Sequence, residues 1–192
     1  MSTNNKKIVV AISGASGYKY GIIALKLLKK NNIETHLILS KSSELTRCME
    51  TDYTLNEVKK LATHVNHVNN IASCLSSGSF GLSGMLIAPC SMKTLAEIAN
   101  GIANNLISRT ADVILKERKP LVLLARETPL NLIHIENMKK VTLAGGVIMP
   151  PVPSLYITHT TVNELLEYTV IRALDLMDIH LECDKRWQGN DK

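Results

Sequence analysis

A chain of 192 residues, 45% hydrophobic and 20% charged, is long enough for one packed core and short for two. Its formal net charge of +5 suits an anionic ligand, but no long run of Lys and Arg and no basic stripe interleaved with aromatics is present, which excludes the usual nucleic-acid modules. No apolar run reaches membrane-spanning length, residues 8–12 are too few for a signal-peptide core, and Cys48, Cys74, Cys90 and Cys183 lack the spacing of a zinc site or disulfide framework, so a cytoplasmic protein with reduced thiols is expected.

The β-branched run at 7–13 predicts a strand that ends in Gly14-Ala-Ser-Gly17. A helical pattern carried by Ile22, Ile23, Leu25, Leu27 and Leu28 follows, and 33–39 reads as a second strand. Together they make a β-α-β unit with a right-handed crossover. Residues 55–72 fit either a helix and turn or an excursion over the site, and 76–84 is a Gly/Ser-rich loop. A third strand at 85–88 is expected to stop at Pro89. Ser91 caps a helix over 91–100, with Gly101 at its end. A helix at 111–118, a buried strand at 120–125, a helix at 131–143 and a short strand at 147–148 come next. A long amphipathic helix over about 162–179 precedes a polar tail. The alternation predicts one α/β domain over 1–192, a Rossmann-like (flavodoxin-like) doubly wound parallel sheet with a C-terminal helix and tail, its ends 1–6 and 188–192 flexible.

In such a sheet ligands bind beyond the carboxyl ends of the strands. The residues found there are Gly14, Ala15 and Ser16 after the first strand, and Ser40 after the second. Ser91, Met92, Lys93 and Thr94 follow the third, and Arg126 and Glu127 follow the strand at 120–125. Two Ser/Thr-decorated helix starts on one sheet edge point to a phosphate or flavin. The glycine spacing is not that of a dinucleotide-binding loop and suits a mononucleotide. Cys90, with no basic partner nearby, reads as a small buried residue, and His134 and His159 as structural.

Four stretches carry a resemblance over nearly the whole chain. They are Gly14-Ala-Ser-Gly17 with Tyr20-Gly21; Pro89-Cys-Ser-Met-Lys-Thr-Leu-Ala96; Ala111-Asp-Val-Ile-Leu-Lys-Glu-Arg118 continuing to Pro129; and His134-Ile-Glu-Asn-Met138 with Pro150-Pro-Val-Pro153 and Tyr156. The sequence resembles the flavin prenyltransferases of the UbiX/Pad1 type. Flavoprotein decarboxylases of cysteine-containing peptides carry Pro-Ala-Ser-Ala-Asn-Thr where this chain has Pro89-Cys-Ser-Met-Lys-Thr94, which argues against them.

The resemblance implies transfer of a dimethylallyl group from dimethylallyl monophosphate to N5 and C6 of reduced FMN. The product, prenylated FMN, would serve a UbiD-type decarboxylase. No metal, nucleic acid or membrane is implied, and a homododecamer is expected. By the same resemblance Gly14, Ala15, Ser16, Ser40, Ser91, Met92, Lys93, Thr94 and Arg126 bind FMN, with Ser77 near its ring. Tyr156, Arg172 and Lys116 hold the prenyl phosphate, Arg109 is a further active-site arginine, Glu50 and Glu127 are the acid–base pair, and Trp187 closes the site. Glu50 is the candidate base for ring closure at C6.

Overall fold

The β-branched and apolar runs become strands in a computed structural model that describes residues 6–155, 161–183, 186 and 189. In chain order the elements are β1 (Lys7–Ile12), α1 (Tyr18–Lys30), β2 (Glu34–Leu39), α2 (Ser43–Glu50), α3 (Leu55–Lys59), β3 (His64–Asn66) and β4 (Gly84–Cys90). Then come α4 (Met92–Ala99), α5 (Leu106–Lys116), β5 (Leu121–Ala125), α6 (Leu132–Leu143), β6 (Val147–Ile148) and α7 (Val162–Asp175). All six strands are parallel, in the order β3-β2-β1-β4-β5-β6. The succession reverses between β1 and β4, which makes that pair the switch point where an open sheet offers a crevice.

Side chains alternate across each strand, so the sheet feeds two cores. Ile8, Val10, Ile12, Leu86, Ala88, Val122 and Leu124 point to the face covered by α1 and α7. Val9, Ala11, Met85, Ile87, Leu121 and Leu123 point to the face covered by α4, α5 and α6. Both faces being dry explains why these strands read as continuous apolar runs rather than alternating ones. Each fully buried Ile or Leu contributes roughly 2 kcal/mol, and a charge at Val10 or Ile87, both 0% exposed, would break the sheet's packing.

Four local features depart from the sequence expectation. Pro89 does not stop its strand: β4 runs through it to Cys90, with a register shift between Ile87 and Cys90, a bulge being where a sheet tolerates proline. Helix α5 begins at Leu106 rather than 111, because the Asn105 side chain accepts from Ile107 N and Ser108 N and caps it there. Residues 55–72 open with the helix of the expected helix-and-turn alternative, α3, capped at its start by a Thr54–Glu57 capping box, and depart from it in the three-residue edge strand β3. Helix α7 ends at Asp175, short of 179.

Candidate active site

At the switch point Ser13, 1% exposed, clasps the two central strands. Its hydroxyl donates to Pro89 O at 3.0 Å and accepts from Ser91 N at 2.8 Å. This fixes where α4 begins. Ser91 Oγ then accepts from Thr94 N, leaving the amides of Met92 and Lys93, first in the helix, without an intrahelical acceptor. A cleft of about 470 Å³ opens here, lined by Ser40, Ser42, Ser91, Lys93, Thr94 and Asn105 among others. Its size and its hydroxyl and amide donors fit a mononucleotide. Its side is braced by Glu97, 7% exposed, which accepts from Asn105 Nδ2 at 2.9 Å and pairs with Lys93 at 3.6 Å. Gly14 must be small: a Cβ there would lie 2.2 Å from Ser42 Oγ.

The start of α1 differs from the expected phosphate cradle. Gly17 turns the chain with φ +106, a conformation suited to glycine. Its amide and that of Tyr18 donate to the Glu50 carboxylate at 2.9 and 2.8 Å. The positive end of this helix therefore already faces an anion, supplied by α2. Half-buried Glu50 thus stands beside Gly14-Ala-Ser16, with Ser16 exposed. Arg126 and Glu127 leave the carboxyl end of β5 exposed, and Arg126 N is tied to Cys90 O at 3.0 Å. Burial raises the pKa of the Tyr20 phenol, and the Arg126 charge partly opposes it.

A second group lies along α5. Arg109 donates to Asp112 Oδ2 at 2.7 Å and to Ser76 O at 3.1 Å. Lys116, two turns on and so on the same face, pairs with Glu117 at 2.5 Å. The chain over 74–80, two 3-10 turns, runs along this face. A Cβ on Gly78 would meet Lys116 Nζ at 2.9 Å, so Ser77 sits between Arg109 and Lys116. Arg172 forms a third group near the end of α7, where Asp175 accepts from it at 2.5 Å and from Arg186 at 2.7 and 2.8 Å. Tyr156, His159 and Trp187 lie outside the described residues.

Comparison with known proteins agrees with this arrangement. The family model described as Flavoprotein matches residues 1–174. The flavin prenyltransferase UbiX of Neisseria meningitidis serogroup B is 49% identical over 184 residues, spanning 96% of this chain and 97% of its own. This chain belongs to the UbiX-type flavin prenyltransferase family. The solved structure of AnUbiX (PadA1) with FMN and dimethylallyl pyrophosphate superposes with TM-score 0.92 at 50% identity, covering 96% of this chain and 98% of that one. A dodecameric FMN-dependent UbiX-like decarboxylase from Escherichia coli O157:H7 also gives 0.92, at 41% identity over 95% of this chain and all of its own.

In this UbiX-type chain the described site residues do not converge within one subunit. Gly14, Ser40, Glu50, Ser91, Arg126 and Glu127 gather at the carboxyl edge of the sheet. Lys116 precedes the amino end of β5 and Arg126 follows its carboxyl end, so a strand length of roughly 16 Å divides them. Arg172, in the last turn of α7, lies at that same amino edge, since Asp178 just beyond the helix pairs with Lys6, the residue before β1. Cys90 is fully buried, and burial, then Glu97, push its thiol pKa up, in keeping with a packing role. His134 Nδ1 closes a capping box on Asn131. Sequence reasoning missed Ser13, Ser42, Glu97 and Asn105. The last had a visible signal, an Asn directly before an apolar helical face.

Proposed function

We infer that the protein is a flavin prenyltransferase, which joins a dimethylallyl group to N5 and C6 of reduced FMN and releases the donor's phosphate. The observation that carries this reading is the cleft at the β1/β4 switch point. It has the hydroxyls of Ser40, Ser42, Ser91 and Thr94 and the first amides of α4 on one side, and the Glu50 carboxylate close by. Reduced flavin supplies the nucleophilic N5 and C6. The chain supplies everything else: Ser40, Ser91, Met92, Lys93, Thr94 and Arg126 bind and orient the flavin, with Gly14, Ala15 and Ser16 beneath. Lys116, Arg172 and Arg109 offset the charge of the departing phosphate, with Tyr156 as a further donor. Glu127 delivers a proton to that phosphate, N5 loses its proton as the first bond forms, and in ring closure the alkene carbon gains a proton while Glu50 accepts the one that C6 loses. Trp187 closes the site, and no metal is required.

The strand-length separation of Arg126 from Lys116 and Arg172 supports a site completed by a second copy of the chain, as in a homododecamer. The product then passes to a UbiD-type decarboxylase in the cytoplasm. Among the described residues no helix is long and apolar enough to cross a membrane. The test is mass spectrometry of the flavin after anaerobic incubation of the protein with reduced FMN and dimethylallyl monophosphate, repeated with the diphosphate. The expected result is a flavin heavier by one five-carbon prenyl unit. Bound but unchanged FMN with both donors would refute the reading.

A further inference from the structure

We propose that Glu34, His36 and His64 form a binding site for a divalent transition metal of the zinc class, apart from the flavin cleft. Backbone register brings them together. His36 pairs with His64 across β2 and β3, so both side chains stand on one face. Glu34, two residues before His36, shares that face. Glu34 Oε1 lies 3.0 Å from His36 Nε2 and 3.5 Å from His64 Nε2, and the three ligand atoms fall within 4.8 Å of one another. A tetrahedral ion with bonds of about 2.0–2.1 Å separates its ligand atoms by roughly 3.3 Å. Small side-chain rotations would therefore close the site, with water as the fourth ligand.

The trio is also held and reachable. The His36 ring is 4% exposed, stacked on His64 at 4.6 Å and set edge-on to Phe80 at 5.4 Å. His64 is 53% exposed and opens on a surface depression that also touches Thr63 and Lys29. Burial lowers the His36 pKa, the Glu34 hydrogen bond partly opposing it, so its imidazole is the neutral form that a metal needs. Among the described residues this is the only such cluster of three His, Cys, Asp or Glu ligands.

Two features temper affinity. His36 Nδ1 is buried without a partner, whereas a hydrogen bond there strengthens metal binding by about 10–100-fold. Lys7, drawn over the Phe80 ring, adds a nearby positive charge. Along β2 the site lies four to six residues, roughly 13–20 Å, from Ser40. A metal there would staple the short edge strand β3 to β2.

Untagged protein titrated with Co²⁺ is expected to bind one ion per subunit with the visible absorption of a four-coordinate site, and Zn²⁺ to displace it and raise Tm. His64→Ala and Glu34→Gln, each checked for folding by circular dichroism and for unchanged FMN binding, are expected to lose both effects. No cobalt absorption in the unaltered protein would overturn the proposal. So would equal absorption in both folded variants, which would place the ion elsewhere, for instance at the exposed Cys48 or Cys74.

Discussion

A methyl group at position 14 has nowhere to go. It would sit 2.2 Å from Ser42 Oγ and 2.5 Å from Ser42 Cβ, pressing on the loop whose Ser40 hydroxyl accepts from Ser43 N at 3.1 Å. Overpacking of this kind costs about 1–3 kcal/mol, and here the strain falls on the cleft wall. Gly14→Ala is expected to weaken FMN binding roughly tenfold or more, read by flavin fluorescence titration. Ser42→Gly in the same chain removes both clashing atoms and is expected to restore most of the affinity. Wild-type binding by Gly14→Ala would detach the cleft from the flavin; a double variant as weak as the single would discard the steric account. The same few residues mark how far the sequence could be read. Ser91 as helix cap was legible because cap chemistry is local. The partner of the α1 start was not, since Glu50 reaches it from 33 positions along the chain.

At the scale of elements, what was legible followed local rules. β1 and β5 were plain as apolar runs, and α4 by its cap Ser91. β3 was invisible because His-Val-Asn has no apolar run and pairs on one side only. α2 was invisible because its pattern is polar, with only Ser43 buried. The end of α7 depends on a network that no local pattern encodes. Asp175, its side chain 7% exposed, takes hydrogen bonds from Arg172, His180 and Arg186. Burial alone would raise its carboxyl pKa, but the bonds from Arg186, His180 and Arg172 together hold it below the ordinary value. A carboxyl depressed on folding stabilises the fold above its unfolded pKa of ~3.9, and that stability is lost as pH falls through the folded value. Asp175→Ala is expected to cost about 2 kcal/mol at pH 7, or roughly 4–8 °C in Tm. The Tm gap from the unaltered protein should stay level from pH 7 to about pH 5 and narrow below ~4. A gap that ignored acid would show that Asp175 acts through packing and not charge.

For the whole molecule, the strand-to-helix directions decide which residues can meet. A helix that leads into the next parallel strand ends at the amino edge of the sheet, as α5 does before β5, and α7 closes beside the start of β1, where Asp178 pairs with Lys6. Lys116 and Arg172, near the ends of α5 and α7, therefore lie there, while Ser91, Arg126 and Glu50 lie across the sheet. Sequence could not expose this, because Lys116 and Arg126 are only ten positions apart and look adjacent. If one copy supplies the flavin cleft and another the phosphate-binding cations, two dead variants can rescue each other. Arg126→Ala and Lys116→Ala, each alone, are expected to lose nearly all prenyl transfer. In co-expressed mixed oligomers at equal ratio, half of the clefts keep Arg126 and half of their neighbours keep Lys116, so about a quarter of wild-type activity is expected. If both residues served one site within a single chain, every chain in the mixture would carry one lesion and activity would stay at background. That outcome would require the chain to bring its two sheet edges together by itself, against a separation set by the length of β5.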